Sequence, residues 1–247
     1  MAALDLKPVS TRSALLTLLL GAEVPRLTTR ELVAAASAVG FAEATVRVAL
    51  SRMATAGDVV RDEEGGYRLS ERLAGRQRRQ EEATHPSLRD WDGSWILVAV
   101  TTAGRTAGDR ADLRANLSAL RLAELREGVW TRPANLHLTW PDAVGAVCDR
   151  FTGAAPDTEP AALAARLWDL DAWAATARQL LATTDTDDPV LRFTACATSG
   201  RHLLTDPVLP AALLPDDWPG DALRASHVAS KQWVVDMRRS LTDEGSD

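Results

Sequence analysis

Arg47 stands on the outer face of a predicted helix, with Thr45 just before it and Ser51 and Arg52 one turn later. An arginine in the first turns of such a helix can donate two parallel hydrogen bonds to O6 and N7 of a guanine. Short hydroxyls suit phosphates and base edges, and a second arginine suits the sugar–phosphate backbone. The chemistry implied is DNA recognition, with Arg47 reading a base, Arg52 holding the backbone, and Thr45 and Ser51 contributing hydroxyls. Arg30, upstream, either touches phosphate or only supports its own turn. Arg61 and Arg68, downstream, flank a predicted hairpin tip and are further candidate contacts.

Catalytic chemistry has little to build on. His85, His137, His202 and His227 are scattered, and none has a partner at metal-ligand spacing. There is no Gly-x-Ser-x-Gly motif and no phosphate-binding P-loop, and Gly93, Gly104 and Gly108 make no dinucleotide fingerprint. Cys148 and Cys196 give neither a disulfide framework nor a zinc set and read as buried spectator thiols. The expectation is no enzyme, no cofactor and no metal.

The elements that position the DNA candidates are legible from periodicity. Within Ala42–Ala56 the apolar residues Val46, Ala49, Leu50 and Met53 recur at three- and four-residue steps, which turns Thr45, Arg47, Ser51 and Arg52 outward. Gly57 is a helix stop, and the β-prone runs Asp58–Arg61 and Tyr67–Leu69 meet across Glu64-Gly65-Gly66 as a hairpin. Upstream, Ser10 can cap a helix over Thr11–Leu20 that the segment Gly21–Pro25 ends. Thr28 and Glu31 have capping-box spacing ahead of Leu32, Ala35, Ala36 and Val39. Three helices, a Gly-containing turn between the second and third, and a terminal hairpin make a winged helix-turn-helix. Its tip, Asp62-Glu63-Glu64, is acidic where a DNA-touching wing would be basic.

Charge is unevenly spread in this 247-residue chain of net charge −6. Residues 1–80 carry 12 Lys and Arg against 9 Asp and Glu, and the remainder carries 16 against 25. A basic head on an acidic body fits a protein that meets DNA with one end. No apolar run approaches the roughly 20 residues that span a bilayer, and the N-terminus lacks signal-peptide regions, so a cytoplasmic home without membrane contact is expected.

The body begins after a helical, arginine-rich linker, Ser70–Glu82, which a His-Pro break follows. Trp95–Val100 is a buried strand by composition, and a helix near Asp109–Leu122 follows it. The β-prone pieces Val129–Thr131, Asn135–Leu138 and Val144–Asp149 come next, together a small ferredoxin-like α+β domain. Beyond Glu159 four helices are predicted, over 161–168, 172–182, 190–204 and 221–241. The expected organisation is α+β: a winged helix-turn-helix (1–69), a helical linker (70–90), a ferredoxin-like domain (91–158) and a helical C-terminal domain (159–247).

Several stretches, in order along nearly the whole chain, resemble the PaaX family of bacterial transcriptional repressors. They are STRSALLTLL, ATVRVALSRM, WDGSW at Trp91–Trp95, REGVWTRPANL at Arg126–Leu136, and the proline-rich run from Asp206 to Gly220. The resemblance implies a homodimeric repressor of a catabolic operon that binds a double-stranded DNA operator and is released by a small-molecule effector, an aryl acyl-coenzyme A in the founding type. All eight tryptophans lie at or beyond Trp91, and Trp91, Trp95, Trp130 and Arg132 are candidates for a cleft in which an aryl group stacks and an anion meets a guanidinium. The middle domain's relatives include small CRISPR adaptation nucleases, so a metal-dependent nuclease is the alternative. Those enzymes place an aspartate at the end of their first strand, where this chain has Thr101-Thr102-Ala103-Gly104.

Overall fold

The computed structural model describes Leu6, Pro8–Leu20 and Arg26–Asp243, without the side chains of Arg72, Ala74, Arg76, Thr242 and Asp243. The expected helix stop at Gly21–Pro25 falls outside the described residues. The chain forms two compact units that follow contacts rather than chain order. The first comprises residues 1–84, 176–204 and 221–247, and the second comprises 85–175 and 205–220.

The first unit opens with α1 (Thr11–Leu20), β1 (Arg26–Thr28), α2 (Thr29–Ala38) and α3 (Glu43–Thr55), followed by β2 (Val59–Arg61), β3 (Gly66–Leu69) and α4 (Glu71–Thr84). The Thr28 side chain accepts from the Glu31 amide at 3.2 Å, and the Glu31 carboxylate accepts from the Thr28 amide at 2.6 Å. This capping box satisfies two of the donors that a helix start leaves open, and such a cap contributes about 1 kcal/mol. Strand β1 was not foreseen. It pairs with β3 and makes a three-stranded sheet in the order β1-β3-β2. The core of this unit joins Leu15, Leu19, Leu32, Val46, Leu50 and Met53 to residues far along the chain, Phe193, Cys196 and Val234. Those three belong to α9 (Pro189–Leu203) and α10 (Gly220–Asp243).

The second unit contains β4 (Trp95–Val100), α5 (Ala107–Ala119), β5 (Ala123–Arg126), β6 (Val129–Pro133), α6 (Asp142–Gly145), β7 (Cys148–Ala154) and α7 (Pro160–Leu167). Helix α8 (Leu170–Thr184) starts in this unit and finishes in the first. The sheet runs β5-β6-β4-β7, antiparallel throughout. This is the strand order of a βαββαβ ferredoxin-like fold, here with a second helix only four residues long.

Two strand expectations shift. Asn135–Leu138 is not a strand: Leu136 makes an isolated bridge to Leu88, and the Asn135 side chain is committed to the Val208 carbonyl. Instead Ala123–Arg126 pairs with β6 through a two-residue turn, in which Gly128 takes a positive φ of 74°. That backbone conformation favours glycine. Val144, expected in a strand, lies in α6, and the strand itself begins at Cys148.

Candidate nucleic-acid interface

Helix α3 separates its faces as its periodicity requires. Val46, Leu50 and Met53 are buried, whereas Thr45, Arg47, Val48, Ser51 and Arg52 are exposed. Arg47 is not idle: its Nε and Nη2 donate to Glu43 Oε1 at 2.8 and 2.7 Å, one turn back. The pair is more than half exposed at both ends, so it contributes at most about 1 kcal/mol and can be exchanged for a base or phosphate. Val48, 51% exposed between these polar neighbours, was missed because its type suggests a core position. An exposed valine on such a face offers apolar contact to a thymine methyl group.

A groove of about 630 Å³ runs beside α3, with Thr45, Val48 and Arg52 on one wall and Arg12 of α1 among the others. Arg12 Nε donates to Asp58 Oδ2 at 2.6 Å. The Asp58 side chain is almost wholly buried, and its carboxylate raises the Arg12 pKa further. Asp58 therefore ties α1 to the start of the β2–β3 hairpin, while the Arg12 side chain stays half exposed. No sequence signal marked Arg12, because its partner is 46 residues away.

The acidic tip of the β2–β3 hairpin is neutralised in part by an arginine outside it. Arg26 of β1 donates to Asp62 at 2.6 Å through Nε and to Glu64 at 2.8 Å through Nη2. Its hydrogen bond holds the Asp62 carboxyl below the usual range, with the Gly66 amide, 2.8 Å from Oδ1, adding to the effect. A Cβ on Gly66 would come within 2.7 Å of the Arg26 guanidinium, so glycine is what allows this side chain to lie across β3. Glu63 keeps its exposed position. Arg61 and Arg68 are both exposed on the flanking strands, with Arg61 5.9 Å from the centre of the Tyr67 ring. Arg30 is exposed in the first turn of α2. The structure thus places all seven candidate DNA contacts on the surface of the first unit.

The expected effector cleft does not form. Trp130 pairs with Val98 and shares its cluster with Ile96, Val98, Leu113 and Leu117. Trp95, three residues from Val98 on β4, points through the opposite face into a cluster with Leu163, Leu170 and Leu209, as alternation along a strand demands. It is 1% exposed and stacks on Trp168 at 6.4 Å. Trp91 packs beside Trp95 and donates from Nε1 to the Ser94 carbonyl at 2.7 Å. Arg132 is 0% exposed and donates to the carbonyls of Pro133, Leu120 and Val208 and to Asn135 Oδ1, at 2.8–3.3 Å. Burial and the nearby Arg121 charge lower its pKa, and Asp206 opposes them. It is a structural clamp with no surface to offer a ligand.

A different concavity in this unit carries exposed guanidinium groups. A groove of about 890 Å³ is lined by Arg105, Arg110, Arg114 and Arg126, together with Gly128 and Trp130. Arg114 lies 5.4 Å from the centre of the Trp130 ring and is ion-paired to Glu124. The arginines outnumber the two lining carboxylates, Glu124 and Glu127, so the groove suits an anion. Their spacing is hidden in the sequence because three come from α5 or its approach and one from the β5–β6 hairpin.

Cys148 and Cys196 are both buried free thiols. Burial pushes Cys196 up to about 12 and Cys148 above its usual value. Among the described residues no group of three His, Cys, Asp or Glu side chains is placed to hold a metal ion, and no helix is long and apolar enough to cross a membrane.

The fold is that of a mixed α+β protein whose second unit carries a ferredoxin-ordered sheet. The chain belongs to the PaaX family: residues 10–73 match the PaaX-like protein, residues 88–147 the PaaX protein central Cas2-like domain, and residues 168–240 the PaaX-like protein C-terminal domain. Members of this family are usually transcriptional regulators. An uncharacterized protein from Mycobacterium tuberculosis is similar in structure, with a TM-score of 0.79 and 44% sequence identity over 94% of this chain and 99% of that one. No curated relative matches.

Proposed function

We propose that the protein is a cytoplasmic, homodimeric repressor that binds a two-half-site DNA operator through a winged helix-turn-helix and is released by an anionic small-molecule effector. The observation that carries this reading is α3, which buries Val46, Leu50 and Met53 and offers Thr45, Arg47, Ser51 and Arg52 beside a groove. The hairpin after it supplies Arg61 and Arg68, and the Arg26 clamp on Asp62 and Glu64 lowers the repulsion that an acidic tip would meet at phosphate. One module gives a small DNA interface, which two-fold symmetry doubles. Residues 1–69 are the DNA head in this reading, with the later segments supplying dimer and effector contacts.

Binding sites selected from genomic fragments, followed by fluorescence anisotropy at fixed salt, test the DNA reading. Arg47→Ala is expected to cost about 1–3 kcal/mol at a specific site and to relax preference at one base position. Arg52→Ala is expected to weaken specific and random DNA alike. Unchanged specific affinity in Arg47→Ala removes α3 from the groove of the DNA. Clean cleavage of labelled nucleic acid with magnesium or manganese would favour a nuclease instead.

The effector is assigned to the arginine groove of α5 and the β5–β6 hairpin, with an aryl acyl-coenzyme A as the first candidate. Its phosphates match the guanidinium groups of Arg110 and Arg126 in charge. The effector must bind the DNA-free arrangement more tightly, by about 1–3 kcal/mol for a typical coupling, and operator must weaken effector binding equally. In titrations of acyl-coenzyme A esters with and without operator, Arg110→Ala and Arg126→Ala are expected to weaken the ester and leave DNA affinity in its absence unchanged. Ester binding that ignores DNA, or survives both substitutions, refutes the assignment.

A further inference from the structure

The first unit holds a partly open cavity of about 90 Å³ that DNA recognition does not use. Its walls come from four helices, including Leu20 of α1, Gln80 and Glu81 of α4, Ala197 of α9, and His227 and Lys231 of α10. His227 is 2% exposed, and neither ring nitrogen makes a hydrogen bond of good geometry, the Cys196 carbonyl being the backbone acceptor beside the ring. A neutral imidazole carries one donor and one acceptor, and leaving either unmade inside a protein forfeits its hydration without return. Buried polar atoms facing a polar space of this size call for an occupant.

The backbone is cleared to hold the ring where it is. Gly200 sits against His227 and Gln80, and a Cβ there would lie 2.9 Å from His227 Cε1 and 2.4 Å from Gln80 Nε2. Desolvation, aided by Lys231, holds the imidazole down to a pKa of about 4, while the Cys196 backbone carbonyl and Glu81 act the other way. At neutral pH the ring is an uncharged donor and acceptor. Lys231 supplies the positive charge, 3.5 Å from Glu81. The Glu81 side chain is 58% exposed, so water screens its charge from a second carboxylate.

We propose that this cavity binds a small aliphatic carboxylate, its acid group on the Lys231 ammonium and the His227 ring N–H, its short tail against Leu20 and Ala197. The ammonium selects an anion, the planar pair of oxygens matches two separated donors, and the volume sets the length. The space is smaller than the roughly 150 Å³ that accommodates benzene in an apolar core, which favours a short acid over an aryl one. This inference stands apart from the DNA reading and from the arginine groove.

The test is a titration of the full chain with acetate, propionate, butyrate and phenylacetate, following the His227 ring resonances by NMR at pH 7 and constant ionic strength. Saturable shifts with propionate or butyrate in the millimolar range are expected, and none with phenylacetate. Lys231→Met removes the ammonium from a side chain one-third exposed, and is expected to weaken binding by about tenfold or more. Ala197→Leu, which fills the space from another helix, is expected to abolish it. Absent or non-saturable shifts, as from a cavity holding only water, overturn the proposal. So does equal binding by Lys231→Met, or by phenylacetate.

Discussion

Arg132→Ala is expected to unfold the second unit, or to lower its stability by about 3–5 kcal/mol, rather than to alter ligand response alone. The guanidinium is fully buried and donates to the Pro133, Leu120 and Val208 carbonyls and to Asn135 Oδ1. It ties β6 to the end of α5 and to the chain at Val208, all within one unit. Removing it empties the space of a large side chain and strands several acceptors, each worth about 1–3 kcal/mol when buried without a donor. Asn135 Nδ2 continues to reach the Val208 carbonyl at 3.0 Å, so the loss falls mainly on the other acceptors. Arg132→Lys is expected to rescue little, because an ammonium cannot span the planar arrangement of partners. Urea unfolding followed by tryptophan emission reads the result, since Trp95, Trp130, Trp173 and Trp218 all belong to this unit. A midpoint close to that of the unaltered protein would show that the clamp is dispensable.

Stability is expected to fall as pH drops from about 6.5 toward 4 through His227, independently of any ligand. The folded protein holds this imidazole at about 4 against an ordinary 6.5, mainly by desolvation and further by Lys231. Within that window the unfolded chain takes up a proton that the folded chain refuses, so the equilibrium shifts toward unfolding. The contribution is complete above the ordinary pKa and is lost as pH falls through the folded one. Each pKa unit is worth 1.36 kcal/mol, which limits the loss from this residue to about 3 kcal/mol. Carboxylates titrate in the same range, so the informative quantity is the difference from His227→Gln. The gap in thermal midpoint between the two proteins should narrow or reverse on acidification. Parallel curves would mean that the ring gains its proton in the folded state as easily as in water.

Local pattern was enough for the elements around α3. The three- and four-residue spacing of Val46, Leu50 and Met53 separates a buried face from the one bearing Arg47 and Arg52, because a helix repeats every 3.6 residues whatever surrounds it. The Thr28–Glu31 box and the strand Trp95–Val100 were readable for the same reason: their partners lie within a few residues, or their composition admits one environment. Motif order along the chain carried the family. What local pattern misjudged were side chains whose partners are distant in sequence. Arg26 reaches the β2–β3 hairpin from 36 residues upstream and offsets the charge of its tip. Arg132 and Trp95 looked like ligand groups, yet strand alternation sends Trp95 and Trp130 through opposite faces of the sheet. The cavity at His227 needs four helices brought together from residues 17 to 231. Residue type and spacing report which surface an element buries. Pairing between elements, and hence whether a charged or aromatic side chain meets solvent or a buried partner, is decided when the tertiary structure closes.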